Sequence, residues 1–317
     1  MELYALRDIS TSDPDLQEVD IYYLEGILQK GKGCTRLLRA SSSDGEDSVA
    51  IKLFPKTGAG HCSPGFLTEE RSVLKLSHPN LVKYHSFYKD ALIKGKNDGF
   101  NQYSAIIMEY ISSGDLFKLV SKDCLSEKLA KTLFRQMISV IEYLHTQKLA
   151  HLDLKLENFL INETGIKLID FDGCQKLQAG MNVTEPTGTC GYRPPEFSKG
   201  GYQDFKAADV YSLGIVLFTM VTGTPPYTET QDCKDSKFDH YYEALRKDIS
   251  KFWKVHEHYR EMDNREPLSQ DFKTLIQGML TENPQERWSM DKIKRSKWYE
   301  GEVCTTEELK RFLSCDE

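Results

Sequence analysis

The chain has 317 residues, with 41 basic and 48 acidic side chains and a formal charge of −7, so it shows no basic footprint for nucleic acid or an anionic membrane. Its length suits two lobes better than one common single core, and no run approaches the ~20 apolar residues of a membrane span. Eight scattered cysteines without a Cys-x-x-Cys pair set aside a zinc or redox centre, and a reducing, cytoplasmic compartment is expected, the nucleus left open.

Residues 1–20 are polar, with Ser10-Thr11-Ser12-Asp13-Pro14-Asp15, and read as a loose lead-in. Ile27 to Leu38 reads as two strands around a loop in which Gly31 and Gly33 let backbone N–H groups approach an anion, while Arg36 stands where a third glycine would fit. Residues 41–48 form a hairpin tip before the alternating strand Val49-Ala50-Ile51-Lys52. A helix over Phe66–Leu76 carries Glu69 and Glu70, with Val73 and Leu74 three and four residues after Glu70 on a core face. After a second tip, Lys94 to Gln102, the strand Tyr103–Met108 leads through Glu109-Tyr110-Ile111 to Gly114-Asp115, near a helix start.

A helix capped by Ser126 carries Leu129, Leu133, Met137, Val140, Ile141 and Leu144 on one face. Then come His151-Leu152-Asp153-Leu154-Lys155-Leu156-Glu157-Asn158, the strand Ile166–Ile169, and Asp170-Phe171-Asp172. Phosphoryl transfer from a nucleotide needs such groups: a carboxylate to take a hydroxyl proton, a nearby cation, and an amide and a carboxylate for Mg²⁺. Farther on stand Gly188-Thr189-Cys190-Gly191-Tyr192-Arg193-Pro194-Pro195-Glu196, the apolar helix begun by Asp209, a helix capped by Ser269, and Arg287 before Trp288.

In order and spacing these segments resemble the eukaryotic protein kinase family, serine/threonine type, over about residues 22 to 299. The Gly188–Glu196 segment discriminates best, because small-molecule kinases lack this peptide platform. The resemblance implies an α+β bilobal fold: an antiparallel N-lobe sheet with one main helix at 21–109, a hinge at 110–114, a mainly helical C-lobe at 115–299, and a short tail at 300–317. It implies ATP under Gly31 and Gly33, its adenine among Leu38, Ala50, Met108 and Leu160, hinge contacts from the backbone of Glu109 and Ile111, and Asp115 at the ribose. Lys52 would grip phosphates while held by Glu70, or by Glu69 as the alternative, since the connection to His78-Pro79-Asn80 is one residue short for the family. Asp153 and Lys155 would do the transfer, and Asn158 and Asp170 would bind Mg²⁺, with Mn²⁺ possible. Thr189 would bond Asp153 and Lys155, Glu196 would pair with Arg287, and Asp209 would brace the catalytic loop. Phe171, His151, Leu74 and Tyr84 would stack as an apolar spine.

Three positions depart from the family pattern. Leu152 replaces an arginine that binds activation-loop phosphate, Asp172 replaces a glycine beside the metal, and Pro194 replaces an alanine. The implied partner is a protein substrate, with Asp115, Glu157 and Glu243 placed to receive basic residues N-terminal to the target. A monomer is expected, with neither nucleic acid nor membrane as partner. The alternative is a nucleotide-binding pseudokinase scaffold.

Overall fold

The computed structural model describes residues 2–6, 19–30, 36–42, 48–94, 100–177, 188–199, 204–232 and 235–314. The chain divides into two compact units. The first holds Met1–Ser77, Leu81–Ser112 and Asp170–Asp172; the second holds His78–Asn80, Ser113–Ile169 and Gly173–Glu317.

The first unit is a closed antiparallel barrel of β1 (Glu2–Leu6), β2 (Val19–Lys30), β3 (Arg36–Ser42), β4 (Ser48–Pro55), β5 (Tyr84–Lys94) and β6 (Phe100–Glu109), in the order β1-β2-β3-β4-β6-β5. Leu38 and Ala40 alternate inward on β3, and join Val49, Ile51 and Leu53 of β4, Tyr88, Ala91 and Ile93 of β5, and Ala105 and Ile107 of β6 in one core. The other face of β4 is covered as well. There Phe54 meets Phe66 of helix α1 (Pro64–Val73) edge-on at 5.7 Å. Ser63 caps α1 by accepting the Phe66 N–H at 3.3 Å, and Pro64 fits a first turn that has no donor to lose.

Part of the lead-in is strand. Glu2–Leu6 pairs with β2 from Glu2 opposite Tyr23 to Leu6 opposite Val19, and with β5 from Leu3 opposite Ile93 to Ala5 opposite Ala91. Leu3, Tyr4, Ala5 and Leu6 are a short β-compatible run ahead of the polar stretch, and they satisfy two sheet edges that would otherwise stay open. Ser41, Ser42 and Ser48 at the first expected tip, and Lys94 and Phe100 to Gln102 at the second, belong to strands, and the rest of both tips lies outside the described residues.

The second unit is mainly helical. Its helices are α2 (Leu116–Lys122), α3 (Glu127–Thr146), α4 (Phe205–Thr222), α5 (His240–Lys247), α6 (Ile249–Met262), α7 (Gln270–Met279), α8 (Met290–Lys294), α9 (Lys297–Glu300) and α10 (Thr306–Ser314). Ser126 and Ser269 cap α3 and α7 through the N–H groups of Leu129 and Phe272. The expected stripe on α3 is buried, as are Phe272, Leu275, Ile276 and Met279 on α7. Helix α4 is apolar all round because it is a core helix. Among the described residues it is the one helix long and apolar enough to cross a membrane, yet 89% of it is buried inside the protein. The tail is more than a loose end: α10 buries Leu309 and Leu313, and Lys128 of α3 bonds Glu302 at 2.7 Å and Glu308 at 3.1 Å.

Three short two-stranded sheets complete this unit among the described residues: β7 (Leu149–Ala150) pairs with β10 (Gln175–Lys176), β8 (Phe159–Asn162) with β9 (Gly165–Leu168), and β11 (Glu229–Asp232) with β12 (Asp235–Phe238). One buried clamp ties distant segments. The Arg287 guanidinium, with no side-chain exposure, donates to both Glu196 oxygens at 2.8 and 2.9 Å, and to the carbonyls of Ala207, Thr281 and Glu282. It also lies 4.8 Å over the Tyr211 ring. Removing one partner strands a buried charge, so Arg287→Ala should lower unfolding free energy by about 3 kcal/mol. Urea denaturation reads this directly, and a loss under about 1 kcal/mol would refute the clamp, since that is the scale of a surface pair.

Candidate active site

In the first unit the site is built on Lys52, midway along β4. Its Nζ lies 2.7 Å from Glu69 Oε2 and 2.5 Å from Asp170 Oδ1. The other Glu69 oxygen accepts the Tyr84 hydroxyl at 3.0 Å. Burial alone would lower the Lys52 pKa, but the carboxylates of Glu69, Asp170 and Asp172 outweigh it and hold the ammonium well above the usual lysine range. Burial pushes the Glu69 carboxyl upward, with Lys52 pulling against it. The result is a cation fixed in place and charged throughout the physiological range.

The partner of Lys52 is therefore Glu69, and Glu70 is corrected. The inward stripe of α1 runs Phe66, Glu69 and Val73, all buried, whereas Leu74, taken from the sequence as a core position, is 60% exposed. Glu70 consequently turns half out. Leu74 is excluded from an apolar stack for the same reason, while Phe171 does meet Tyr84 edge-on at 6.4 Å. Leu38, Ala50 and Met108 are buried on β3, β4 and β6, with Ala50 directly opposite Met108. The Glu109 N–H donates to the Lys83 carbonyl at 2.9 Å, and the Glu109 carboxylate accepts the Lys83 N–H at 2.7 Å. Ile111 follows β6 and is half-buried. Gly31 and Gly33 lie outside the described residues.

In the second unit the catalytic-loop residues hang from Asp209 of α4. This fully buried carboxylate accepts the backbone N–H groups of His151 at 3.0 Å and Leu152 at 2.8 Å, and bonds His145 Nε2 at 2.8 Å. Leu152 has φ +62, a left-handed conformation unusual for a branched side chain, and two amides held by one carboxylate make it tolerable. Beyond that bend, Asp153, Lys155 and Thr189 close a triangle. Lys155 Nζ is 2.8 Å from Asp153 Oδ2 and 2.9 Å from Thr189 Oγ1, and the Thr189 hydroxyl donates to Asp153 Oδ1 at 2.6 Å. Asn158 donates its amide N–H to the Asp153 carbonyl at 2.8 Å, which makes the side-chain oxygen the atom that could ligate a cation. Asp115 caps α2 by accepting the Lys118 N–H at 2.8 Å, and bridges to Leu160 on β8.

The donor set suits Mg²⁺. A hard cation of this kind takes one or two carboxylates together with substrate phosphate oxygens, so a dedicated cage is unnecessary. Asp170 supplies a carboxylate, and among the described residues no cluster of three or more His, Cys, Asp or Glu side chains forms a protein-only cage. A cavity of about 670 Å³ lies elsewhere in the second unit, lined by Cys124, Arg260, Arg265, Cys304 and Phe312 among others, and shares no residue with this machinery.

The family model for the protein kinase domain matches residues 27–299. This chain belongs to the protein kinase family. It is 31% identical to the human SNF-related serine/threonine-protein kinase over 286 residues, which is 89% of this chain and 34% of that protein. The rat and mouse proteins of the same name are 30% identical over the same lengths. The chain thus spans about a third of the length of the curated relatives it matches.

Sequence reasoning missed the Tyr84 hydroxyl on Glu69 and the His145 ring on Asp209. The short link before His78 was the one sign favouring Glu69. The register of α1 has a kinetic consequence. Glu69→Ala should cut kcat/KM for phosphoryl transfer about a hundredfold by leaving Lys52 without its buried partner, while Glu70→Ala stays within about twofold. Equal effects of the two substitutions would refute the pairing.

Proposed function

We propose that this chain is an ATP-dependent serine/threonine protein kinase that transfers the γ-phosphoryl group to protein substrates. The Asp153–Lys155–Thr189 triangle carries the reading, because it ties the carboxylate suited to accept a proton to the segment that receives a peptide in this family. In the proposed transfer Lys52 holds the α- and β-phosphates, and Glu69 keeps Lys52 from swinging away. Asp153 orients the acceptor hydroxyl and takes its proton late, while Lys155 offsets charge on the moving phosphoryl. Asp170 and Asn158 would hold Mg²⁺, which would supply positive charge to offset that of the phosphates. The five described free thiols suit a reducing, cytoplasmic setting.

Basic residues before the target are the preferred substrate feature. Of the three acids proposed to read them, Glu243 is already paired with Lys247 at 2.6 Å on its own helix, and Asp115 works as a cap. Glu157 supports the preference best, since its Oε2 is buried without a hydrogen-bond partner among the described residues. A peptide library should therefore be enriched in Arg or Lys N-terminal to the phosphorylated residue. A flat profile there would end this part of the proposal.

The second reading, a nucleotide-binding scaffold without turnover, is motivated by Asp172, whose charge adds to those around Lys52. Asp172 Cβ packs beside the first turn of α1, where a Cβ on Gly65 would lie 3.7 Å away, and the amino end of a helix is favourable ground for a carboxylate. Purified protein with γ-labelled ATP, Mg²⁺ or Mn²⁺ and a basic serine/threonine peptide should transfer label, and Asp153→Asn should not. No transfer with either metal alongside retained nucleotide binding would favour the scaffold.

Leu152 is buried where an arginine would otherwise receive activation-loop phosphate. Thr184 and Thr187, the candidate phosphate sites, lie outside the described residues. Phosphatase-treated protein should keep most of its activity, and loss of nearly all of it would show that another group reads the phosphate.

A further inference from the structure

Three strands of connection in the second unit meet at Glu229, the first residue of β11. Its side chain is 3% exposed. Oε2 accepts the Gly191 N–H at 2.7 Å, Oε1 faces Arg193 Nη2 at 3.4 Å, and the backbone carbonyl accepts from Cys190 Sγ at 3.3 Å. All three donors belong to the Gly188–Glu196 segment. That segment turns sharply: Gly188 and Gly191 have φ of +82 and +87, and the Tyr192 N–H closes onto the Thr189 carbonyl at 3.1 Å. The same Thr189 donates its hydroxyl to Asp153. A continuous set of bonds therefore runs from Glu229, through one tight turn, to the carboxylate assigned the acceptor proton.

The far side of Glu229 is anchored in the core. Glu229 lies opposite Phe238 in the β11–β12 hairpin, Phe238 stacks on Tyr242 of α5 at 4.1 Å, and Tyr227 meets both rings edge-on. The Tyr227 hydroxyl bonds that of Tyr211 at 2.7 Å, and Tyr211 lies beneath Arg287. Glu229 thus joins a rigid aromatic base to a turn whose left-handed glycines give it little stiffness of its own.

We propose that Glu229 is a positioning residue for the acceptor peptide: it fixes the Gly188–Glu196 turn and, through Thr189, the orientation of Asp153. The inference rests on the protein kinase reading above. A carboxylate that accepts a backbone N–H and faces a guanidinium acts through charge-assisted contacts, the strong end of the hydrogen-bond range. It gives the turn an anion from within the chain, so that ordering this turn needs no phosphate.

Wild type, Glu229→Ala and Glu229→Gln are compared in steady-state transfer to a serine/threonine peptide and in amide hydrogen exchange across residues 188–196. In Glu229→Ala, kcat/KM for the peptide should fall about ten- to a hundredfold while KM for ATP stays within about twofold, and the Gly191 and Tyr192 amides should exchange faster. Glu229→Gln keeps an oxygen for the Gly191 amide but loses the charge facing Arg193, and should fall between. Parallel losses for ATP and peptide would reduce Glu229 to a general scaffold residue, and wild-type kinetics with wild-type exchange would make it a bystander; either overturns the proposal. The exchange measurement needs no turnover. A wild type that moves no label refutes the kinase reading, while unchanged exchange in Glu229→Ala still refutes the role of Glu229 separately.

Discussion

The buried Asp209 carboxylate is the constraint on which the second unit's chemistry depends. It accepts two consecutive backbone amides, those of His151 and Leu152, and bonds the His145 ring. A loop could satisfy those amides in water, but inside the protein each unpaired one would cost about 1–3 kcal/mol. The bend at Leu152 is thus imposed by the core helix that carries Asp209, and it sets where Asp153, Lys155 and Asn158 emerge. Helix α4 can make this demand because almost its whole length is buried and it has nowhere to move.

Much of this was legible in the sequence because local chemistry and spacing carry it. The serine-capped amphipathic helices and the Asp153–Asn158 spacing follow from residue types at fixed intervals, and the Glu196–Arg287 pair, 91 positions apart, from the resemblance to the kinase family. Where the sequence misled, a periodicity was ambiguous by one residue. Glu69 and Glu70 are both polar, and Leu74 offered an apolar neighbour that the fold leaves exposed. The decision lies in the barrel, where Lys52 Nζ and the Tyr84 hydroxyl converge on one side of α1. The strand Glu2–Leu6 was hidden differently, being too short to signal itself beside a polar stretch, and its reason to form is a pair of open sheet edges far along the chain. Glu229 had no local signal at all, since its partners lie 36 to 39 positions away at Arg193 and Cys190.

The two units solve the same electrostatic problem in opposite ways. Around Lys52 one cation faces Glu69, Asp170 and Asp172, so the first unit carries surplus negative charge that suits a divalent cation. Around Asp153 the balance is closer to neutral, with Lys155 on one oxygen and a neutral hydroxyl on the other. In the proposed transfer, a base that accepts a proton late gains from this arrangement. It is held by contacts that orient it, and only one of them carries a full charge.

Leu152 gives these contacts a common logic. An arginine at that position would place a guanidinium beside the catalytic loop, to be neutralised by phosphate before the segment ordered. Here the position is apolar and buried, and no such charge awaits a partner. The loop and the Gly188–Glu196 turn are held by carboxylates of the chain itself: Asp209 accepts the His151 and Leu152 amides, and the Glu229 side chain, buried like that of Asp209, accepts the Gly191 amide. A carboxylate built into the chain is present from the moment of folding, whereas a phosphate arrives by a separate reaction. Replacing one by the other turns a conditional restraint into a permanent one.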